Sequence, residues 1–397
     1  MISLFLLGFL LLALLWNQYY AKHWHKNLMI TLNFLQEFVY AGDQAEMTEQ
    51  IENRKRLVLP VLEVAFHMDK KLAFHDCENT SVSDFTYKRD IFALLGNQRV
   101  TRKLTLNCTH RGYYRIDKSY LTAFSMLHRR RFSMEFPADT ELYVYAARTN
   151  VSNILVTCER LMGSVQCAKR LFEDPFAYAS IREYTVTDPM KTINWKASAR
   201  TGELMVNTFE STHMEKVMIF LDVEDSGILK YEYLTEDSIS VAASLAQKMI
   251  AKGMEVGLFT NIVSDQNSSK SIPASTSKKP STDMAINRSL YTQDTFTYLA
   301  PLSGRKQLSD IEQLLAGHRT DAKTAPLPDI LGGFTGQTED ALLIFISKNA
   351  VQNQPAIETF VNKDKQAVWI VSYPVTESCD VHSEGSIHLI KRGIYDT

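Results

Sequence analysis

Residues 217–223, VMIFLDV, decide the fold of the second half of this 397-residue chain. The run is apolar up to Asp222, as expected for a parallel strand that is covered on both faces. Three further apolar runs follow it: EVGLFT at residues 255–260, ALLIFIS at residues 341–347 and AVWIVSY at residues 367–373. Because helical patterns separate these runs, the alternation predicts a doubly wound α/β sheet.

The clearest of the helical patterns covers residues 235–252. Thr235 can cap its start, Glu236 and Asp237 suit a positive first turn, and Gly253 suits its end. One apolar face repeats at helical spacing, formed by Ile239, Ala242, Ala243, Ala246, Met249 and Ile250. We therefore expect a helix that covers the sheet.

Residues 263–283 interrupt the α/β half with Ser, Lys, Pro and Asn. This composition has no hydrophobic period and cannot build a core, so it predicts a disordered surface insertion. A regulatory or phosphorylated loop is the alternative interpretation.

Upstream, residues 28–150 have the pattern of an all-β domain. Apolar and polar residues alternate in short runs, among them Leu104 to Cys108 and Leu142 to Tyr145, and turn signals such as Ala41-Gly42-Asp43 separate them. Helical periods are missing between the runs. The pattern predicts a β-sandwich, immunoglobulin-like in architecture.

The N-terminus is the most apolar part of the sequence. A helix over residues 2–20 would be roughly 28 Å long, enough to cross a bilayer, and it ends in aromatic residues suited to a membrane interface, Trp16, Tyr19 and Tyr20. A cleaved signal peptide is the alternative, but no Lys or Arg precedes the run. Lys22 and Lys26 follow it, so the positive-inside rule predicts a single membrane anchor at residues 1–21 and a body in the cytoplasm.

Composition argues against several classes of function. The net charge of -2 gives no reason to expect nucleic acid as a partner. Five cysteines without a C-x-x-C pair predict neither a disulfide framework nor a zinc site, and they favour a reducing compartment. No P-loop, G-x-S-x-G or H-E-x-x-H motif occurs, so an enzyme is not expected.

Between the two predicted domains, a linker at residues 151–215 carries the most unusual stretch, IREYTVTDPMKTINWKASARTGELMV at residues 181–206. Apolar and polar residues alternate from Ile193 to Arg200, which predicts an extended, strand-like segment. Arg, Tyr and Trp at this density indicate a hydrogen-bonding and stacking surface. The candidate site residues are Arg182, Glu183, Tyr184, Asp188, Lys191, Asn194, Trp195, Lys196 and Arg200.

This stretch resembles the signature of domain-of-unknown-function family 58, a family of membrane-associated bacterial proteins whose pattern is roughly R-x-Y-x-x-G-D-x-x-R-x-I-D/N-W-K-x-S-A-R. Thr187 stands where glycine is usual, and Lys191 where arginine is usual. The residues in register are Arg182, Tyr184, Asp188, Ile193, Asn194, Trp195, Lys196, Ser198, Ala199 and Arg200.

The resemblance implies an architecture and a partner. A von Willebrand factor A-like domain would occupy residues 216–376, with a C-terminal tail at residues 377–397. The partner implied is a MoxR-type AAA+ ATPase, and the role is the assembly or maturation of protein complexes or an envelope process. The signature itself would be either a buried seam between two domains or a docking surface for a partner, since Arg and Trp are frequent in interface hot spots.

The same resemblance directs attention to the turn after the first α/β strand, DVEDS at residues 222–226, where von Willebrand A domains often bind Mg²⁺. Candidate ligands are Asp222, Glu224 and Ser226. Lys348 follows a later strand where an aspartate is usual, and its charge would repel a cation. A role for Asp222 as a helix cap or loop anchor is the alternative.

The function expected is that of a membrane-anchored adaptor that faces the cytoplasm, without a cofactor and without catalysis. A Mg²⁺-dependent ligand-binding or adhesion protein facing outside is the alternative. An enzyme that uses the turn at residues 222–226 around Mg²⁺ is a third possibility.

Overall fold

The computed structural model describes residues 2–76, 79–83, 85–124, 131–169, 178–185, 188, 190–209, 215–225, 231–262, 290–292, 295–318, 324–332, 334, 341–361, 366–376, 381–382 and 386–395. The chain divides into two compact units, of which the first contains residues 1–148 and the second begins at Thr149. The insertion expected at residues 263–283 and the candidate ligand Ser226 lie outside the described residues.

Helix α1 (Ile2–His23) opens the first unit. Tyr20 is only 2% exposed and packs, with Trp24, into the core of the β domain, so it is not part of the aromatic membrane belt expected from the sequence. Within the described part of the chain, no helix combines the length and the apolarity that crossing a membrane requires. The spanning anchor expected at residues 1–21 therefore has no support here. Several apolar side chains of α1 are exposed, namely Leu7, Phe9, Leu11, Leu12, Leu14 and Leu15.

The rest of the first unit is built from strands β1 (Leu28–Phe34), β2 (Phe38–Tyr40), β3 (Gln44–Asn53), β4 (Leu59–Asp69), β5 (Leu72–Phe74), β6 (Thr80–Val82), β7 (Phe85–Leu94), β8 (Gln98–Cys108), β9 (Gly112–Phe124) and β10 (Arg131–Tyr145). They form a four-stranded sheet, β1-β3-β8-β5, and a six-stranded sheet, β2-β10-β9-β4-β7-β6. Apolar residues of both sheets share one core, in which Leu106 of β8 meets Phe66 of β4 and Leu142 of β10. The alternating residues of the sequence thus face a common interior, as the pattern predicted.

Three buried ionisable side chains, Glu49, Lys88 and Asp90, interrupt this apolar interior, and the partly exposed Arg102 contacts one of them; we call the four the buried charge cluster. Glu49, Lys88 and Asp90 are at most 1% exposed. Arg102 is opposite Glu49 in the β3–β8 register and contacts Asp90 at 2.7 Å. Burial raises the pKa of Glu49 to about 8, the negative charge of Asp90 adds to the rise, and Arg102 and Lys88 oppose it. Glu49 is therefore held in its neutral form near pH 7.

From residue 149 onward the elements are α2 (Ser152–Lys169), β11 (Tyr178–Glu183), a 3-10 turn (Met190–Thr192), α3 (Trp195–Thr201), β12 (Met205–Phe209), β13 (Lys216–Leu221), α4 (Glu232–Ala251), β14 (Glu255–Thr260), β15 (Leu290–Thr292), β16 (Thr297–Leu302), α5 (Arg305–Gly317), α6 (Leu327–Leu331), β17 (Ala341–Ser347), α7 (Ala350–Phe360), β18 (Ala367–Pro374) and β19 (Ile387–Ile394). Seven strands form one sheet in the order β15-β16-β14-β13-β17-β18-β19. Strands β14, β13, β17, β18 and β19 are parallel, and β16 and β15 add antiparallel pairs. The four apolar runs are the central strands, so the predicted α/β alternation is confirmed.

Helix α4 covers this sheet, but it starts one turn before the predicted cap. The residue at its N-cap is Tyr231, whose side chain makes no capping hydrogen bond. Thr235, expected to cap the helix, instead lies inside it and is 3% exposed. The predicted end is correct, because Gly253 follows the helix with a φ of 86°.

Helix α2 and strand β19 were not predicted. Residues 151–215 suggested only a linker, yet α2 buries Leu155 and Cys158 and pairs Glu159 with Lys252 at the end of α4. Residues 377–397 suggested a tail, yet β19 pairs with β18 over eight residues. Arg392 of β19 also donates to both carboxyl oxygens of Asp237 on α4, at 2.9 and 3.1 Å from its Nε atom. Both segments are therefore part of the α/β unit.

The order of the strands positions a crevice. Strand β13 is followed by β14 on one side of it, and its other neighbour, β17, is followed by β18 on the far side, so the connections after β13 and β17 run in opposite directions. In open α/β sheets, ligands bind where the order of the strands reverses in this way. We therefore expect a site at the loops after β13 and β17, and we call this region the strand-end crevice.

Candidate functional site

The signature segment folds as a small module, the signature module, built from β11, the 3-10 turn, α3 and β12. Strands β11 and β12 are antiparallel, with Arg182 opposite Val206. Ile193 forms an isolated bridge with Val206, and these two residues are 7% and 2% exposed. A buried pair of apolar residues thus ties α3 to the two strands.

Asp188 fixes the turn after β11. The guanidinium of Arg182 donates two parallel hydrogen bonds to its carboxylate, at 2.7 and 2.6 Å, and Thr185 donates through its main-chain N–H and its hydroxyl, at 2.9 and 2.8 Å. Arg182, followed by the Thr185 donors, holds the pKa of Asp188 far below its ordinary value. Both residues are among the candidate site residues of the sequence, and the structure pairs them.

Asn194 starts helix α3, which corrects the extended segment expected there. Its Oδ1 atom accepts from the N–H of Ala197 at 3.0 Å, and its Nδ2 atom donates to Asn207 at 2.7 Å. Ser198 then links the helix to β12 by accepting from the N–H of Met205 at 2.9 Å. An asparagine cap, and Gly202 in the left-handed conformation at the other end, favour a helix over the strand that the alternation suggested.

Several signature residues are exposed on this fixed scaffold. Met190 is 74% exposed and Trp195 is 68% exposed. Glu183 is exposed in β11, whereas Tyr184 is half-buried and its N–H donates to the carbonyl of Leu204. We call the set of exposed residues at 190–200 that contains Trp195 the signature surface: Met190, Lys191, Trp195, Lys196 and Arg200. It combines two large apolar side chains with three cations.

The strand-end crevice is organised by Asp222, which is 1% exposed. One of its carboxyl oxygens accepts from the N–H of Glu224 at 3.0 Å and from Asn261 at 2.8 Å. The other accepts from Asn353 at 2.6 Å and from Asn349 at 3.5 Å. Burial raises the pKa of Asp222, and these four donors oppose the rise.

The three asparagines were missed in the sequence. Asn261 directly follows β14 and Asn349 comes two residues after β17, so their positions at strand ends were a usable signal. Asn261 also accepts from the N–H of Val223 at 3.0 Å and donates to the carbonyl of Ala325 at 2.9 Å. The loop after β13 is therefore held by amide side chains from two other loops.

Lys348 is the charged neighbour of this loop. Its ammonium is 2.9 Å from a carboxyl oxygen of Asp225 and 2.9 Å from the hydroxyl of Thr235, and its side chain is 5% exposed. The positive charge of Lys348, which the sequence predicted near the turn at residues 222–226, is thus in direct contact with that turn.

Asp222 and Asp225 are engaged in a way that does not suit a divalent cation. Both carboxyl oxygens of Asp222 already accept two hydrogen bonds, and Asp225 is paired with an ammonium. A Mg²⁺ ion would need free oxygen ligands and would face the charge of Lys348. Asp222 is thus a loop anchor, the alternative raised by the sequence, and Glu224 lies beside it at 5% exposure.

Comparison with known proteins finds a family that is similar to the part of the chain containing the signature. A family described as "Protein of unknown function DUF58" matches residues 180–372. The "Uncharacterized protein YeaD" of Bacillus subtilis (strain 168) is 30% identical over 80 residues, which cover 20% of this chain and 19% of that protein. The chain thus matches about a fifth of the length of this curated relative.

Solved structures are similar to parts of the chain at low TM-scores. The CARDB domain of the PF1109 protein from Pyrococcus furiosus gives a TM-score of 0.20 at 13% identity, over 29% of this chain and 93% of that one. A non-cellulosomal cohesin from Archaeoglobus fulgidus gives 0.22 at 9% identity, over 33% and 97%. These values carry no conclusion about function. The family match shows that residues 180–372 of this chain are similar to the DUF58 proteins, a family of unknown function.

Proposed function

We propose that this protein is an adaptor that docks a partner protein through the signature surface. The observation that carries the proposal is Trp195, 68% exposed on a helix whose start and end are both fixed. Tryptophan is among the residues most enriched at binding hot spots. The bonds of Asp188 and Asn194 reduce the conformational freedom that binding would otherwise cost.

The charges around Trp195 indicate the chemistry of the partner surface. Lys191, Lys196 and Arg200 are exposed, so an acidic surface with an apolar pocket for Trp195 would complement them. The partner we propose is a MoxR-type AAA+ ATPase, which would act with this protein in the assembly or maturation of complexes or in an envelope process. That identity rests on the family resemblance of residues 181–206.

We further propose that residues 216–376 form a von Willebrand factor A-like domain. The parallel order β14-β13-β17-β18 and the helix α4 over it support this assignment. In the proposed adaptor this domain would bear the signature module and contribute no catalysis.

Trp195→Ala is expected to abolish recovery of the partner. The substitution removes the largest apolar side chain of the surface, and truncating a hot-spot aromatic residue typically weakens binding by about 2 kcal/mol or more, at least a twenty-fold loss. The measurement is mass spectrometry of proteins that co-purify with the crosslinked full-length chain. Val351→Ala, at a site that is 78% exposed on α7, is the matched control and should retain the partner.

The outcomes separate the two interpretations of the signature. Recovery of an AAA+ ATPase with the wild type and the Val351 variant, but not with Trp195→Ala, supports docking. An ATPase that a folded Trp195→Ala variant still recovers would make the signature a structural seam. Absence of any AAA+ ATPase from the wild-type sample would refute the partner.

Attachment to a membrane is a separate part of the proposal, supported by the exposed leucines of α1. Leu11 and Leu15 are 55% and 65% exposed, and such side chains favour an apolar environment. Replacing both by glutamine is expected to move the protein from the membrane fraction to the soluble fraction in flotation with lipid vesicles. Val351→Gln is the control. Equal flotation of the double variant and the wild type would contradict attachment through α1.

A further inference from the structure

The strand-end crevice contains a positive charge that belongs to the protein itself. The ammonium of Lys348 bridges two elements, since it contacts Asp225 after β13 and Thr235 in the first turns of α4. With a side chain that is 5% exposed, it is shielded from water and from salt. A single buried charge therefore ties the loop after β13 to the helix that follows it.

A divalent cation commonly performs this task at the end of a strand, because it gathers the oxygen atoms of several loops. In this chain the oxygen atoms are gathered otherwise. Asn261, Asn349 and Asn353 donate to Asp222, and Lys348 neutralises Asp225. Amide N–H groups face the carboxylate of Asp222, and an ammonium faces the carboxylate of Asp225.

We propose that Lys348 takes the place of a divalent metal ion in the strand-end crevice and that the crevice is organised without metal. Lys348 is thus a positioning residue, which holds the loop at residues 222–225 against α4. Any ligand or partner that contacts the crevice would then bind independently of divalent cations.

Direct titration of the full-length protein with Mn²⁺ tests whether the crevice is organised without metal. Mn²⁺ takes the same oxygen ligands as Mg²⁺, and the signal of the free ion in electron paramagnetic resonance decreases when it binds. We expect no stoichiometric binding up to millimolar Mn²⁺. Stoichiometric binding that Asp225→Asn abolishes would overturn the proposal, whereas weak binding that this variant leaves unchanged comes from other surface carboxylates and agrees with it.

A double-mutant cycle tests whether Lys348 holds the loop through its pairing with Asp225. Asp225→Asn leaves the buried Lys348 without its counter-charge, and Lys348→Met leaves the partly buried Asp225 without its own, so each should lower the midpoint of thermal unfolding by about 5–10 °C. The double variant should lose clearly less than the sum of the two, because the second substitution removes a group that the first has already left unpaired. Additive losses would overturn the proposal.

The exposed pair Lys216–Glu255 in the same sheet provides the matched control. Its two side chains are 46% and 23% exposed and 3.9 Å apart. Lys216→Met should shift the midpoint by about 2 °C or less. Addition of Mg²⁺ or of a chelator should leave the midpoint of the wild type unchanged, and a rise with Mg²⁺ that Asp225→Asn removes would contradict a metal-free crevice.

Discussion

Glu49→Gln should stabilise the β domain at neutral pH, and the gain should grow as the pH rises. The carboxyl of Glu49 is 1% exposed, and its pKa is raised to about 8 by burial and then by Asp90. In the unfolded chain its pKa is close to the ordinary 4.5. Glu49 therefore binds a proton on folding at pH 7, and its contribution to stability is complete below pH 4.5 and is lost as the pH rises toward 8.

The size of the effect follows from the same two pKa values. At pH 7 the linkage costs the folded state on the order of 3 kcal/mol, and above pH 9 on the order of 5 kcal/mol. Glutamine does not titrate, so the variant should avoid this loss. The measurement is the free energy of unfolding in urea at pH 5, 7 and 9 for both proteins.

Glu46→Gln is the control for this experiment, because Glu46 is on the same strand but on its partly exposed face. It should change the stability by about 0.5 kcal/mol or less at each pH. A wild type that becomes more stable between pH 5 and pH 9 relative to Glu49→Gln would show that Glu49 is ionised in the folded domain.

Asp222→Ala should destabilise the α/β unit by about 3–5 kcal/mol. The substitution removes the acceptor of four hydrogen bonds, and it leaves the amide groups of Asn261 and Asn353 in a buried site without that partner. Asp222→Asn keeps one carbonyl oxygen and should lose less. Urea unfolding measures the difference.

The exposed Asp329 on α6 offers a comparison for Asp222, and Asp329→Ala should cost about 0.5 kcal/mol or less. A loss below about 1 kcal/mol for Asp222→Ala would mean that water replaces the carboxylate at little cost. In that case Asp222 would not be the anchor of the loop.

The α/β sheet could be predicted from the sequence because each of its central strands is recognisable from its own residues. VMIFLDV and the three runs after it are almost entirely apolar, which is the pattern expected of strands covered on both faces. Strand β19 lacked the signal: its IHLIKRGI sequence mixes charged and apolar residues, since one edge of it faces solvent. Its place is set by pairing with β18 and by the bond of Arg392 to Asp237, 155 residues away.

In the candidate sites, too, contacts between residues close in the sequence could be predicted and contacts between distant residues could not. Arg182 and Asp188 are six residues apart and could be paired on sight. The partners of Asp222 are 39 residues away for Asn261 and 131 for Asn353, and no local pattern joins them. Around Trp195 the period of two was misleading, because the Asn194 cap and the helix-forming alanines decided the local structure. Tyr20 was misassigned because burial in a core and exposure at a membrane favour the same aromatic residue.

Strand β19 also affects where the chain can be cut without disrupting the α/β sheet. It lies outside residues 180–372, so a polypeptide cut at the limits of the family match would end inside the sheet. The N–H and C=O groups of β18 that now pair with β19 would form an open edge, and buried strands with open edges recruit strands from other molecules. With Lys391 and Arg392, the native edge is charged instead. Strand β19 thus covers the edge of β18, and we expect the shorter polypeptide to aggregate more readily than the full-length chain.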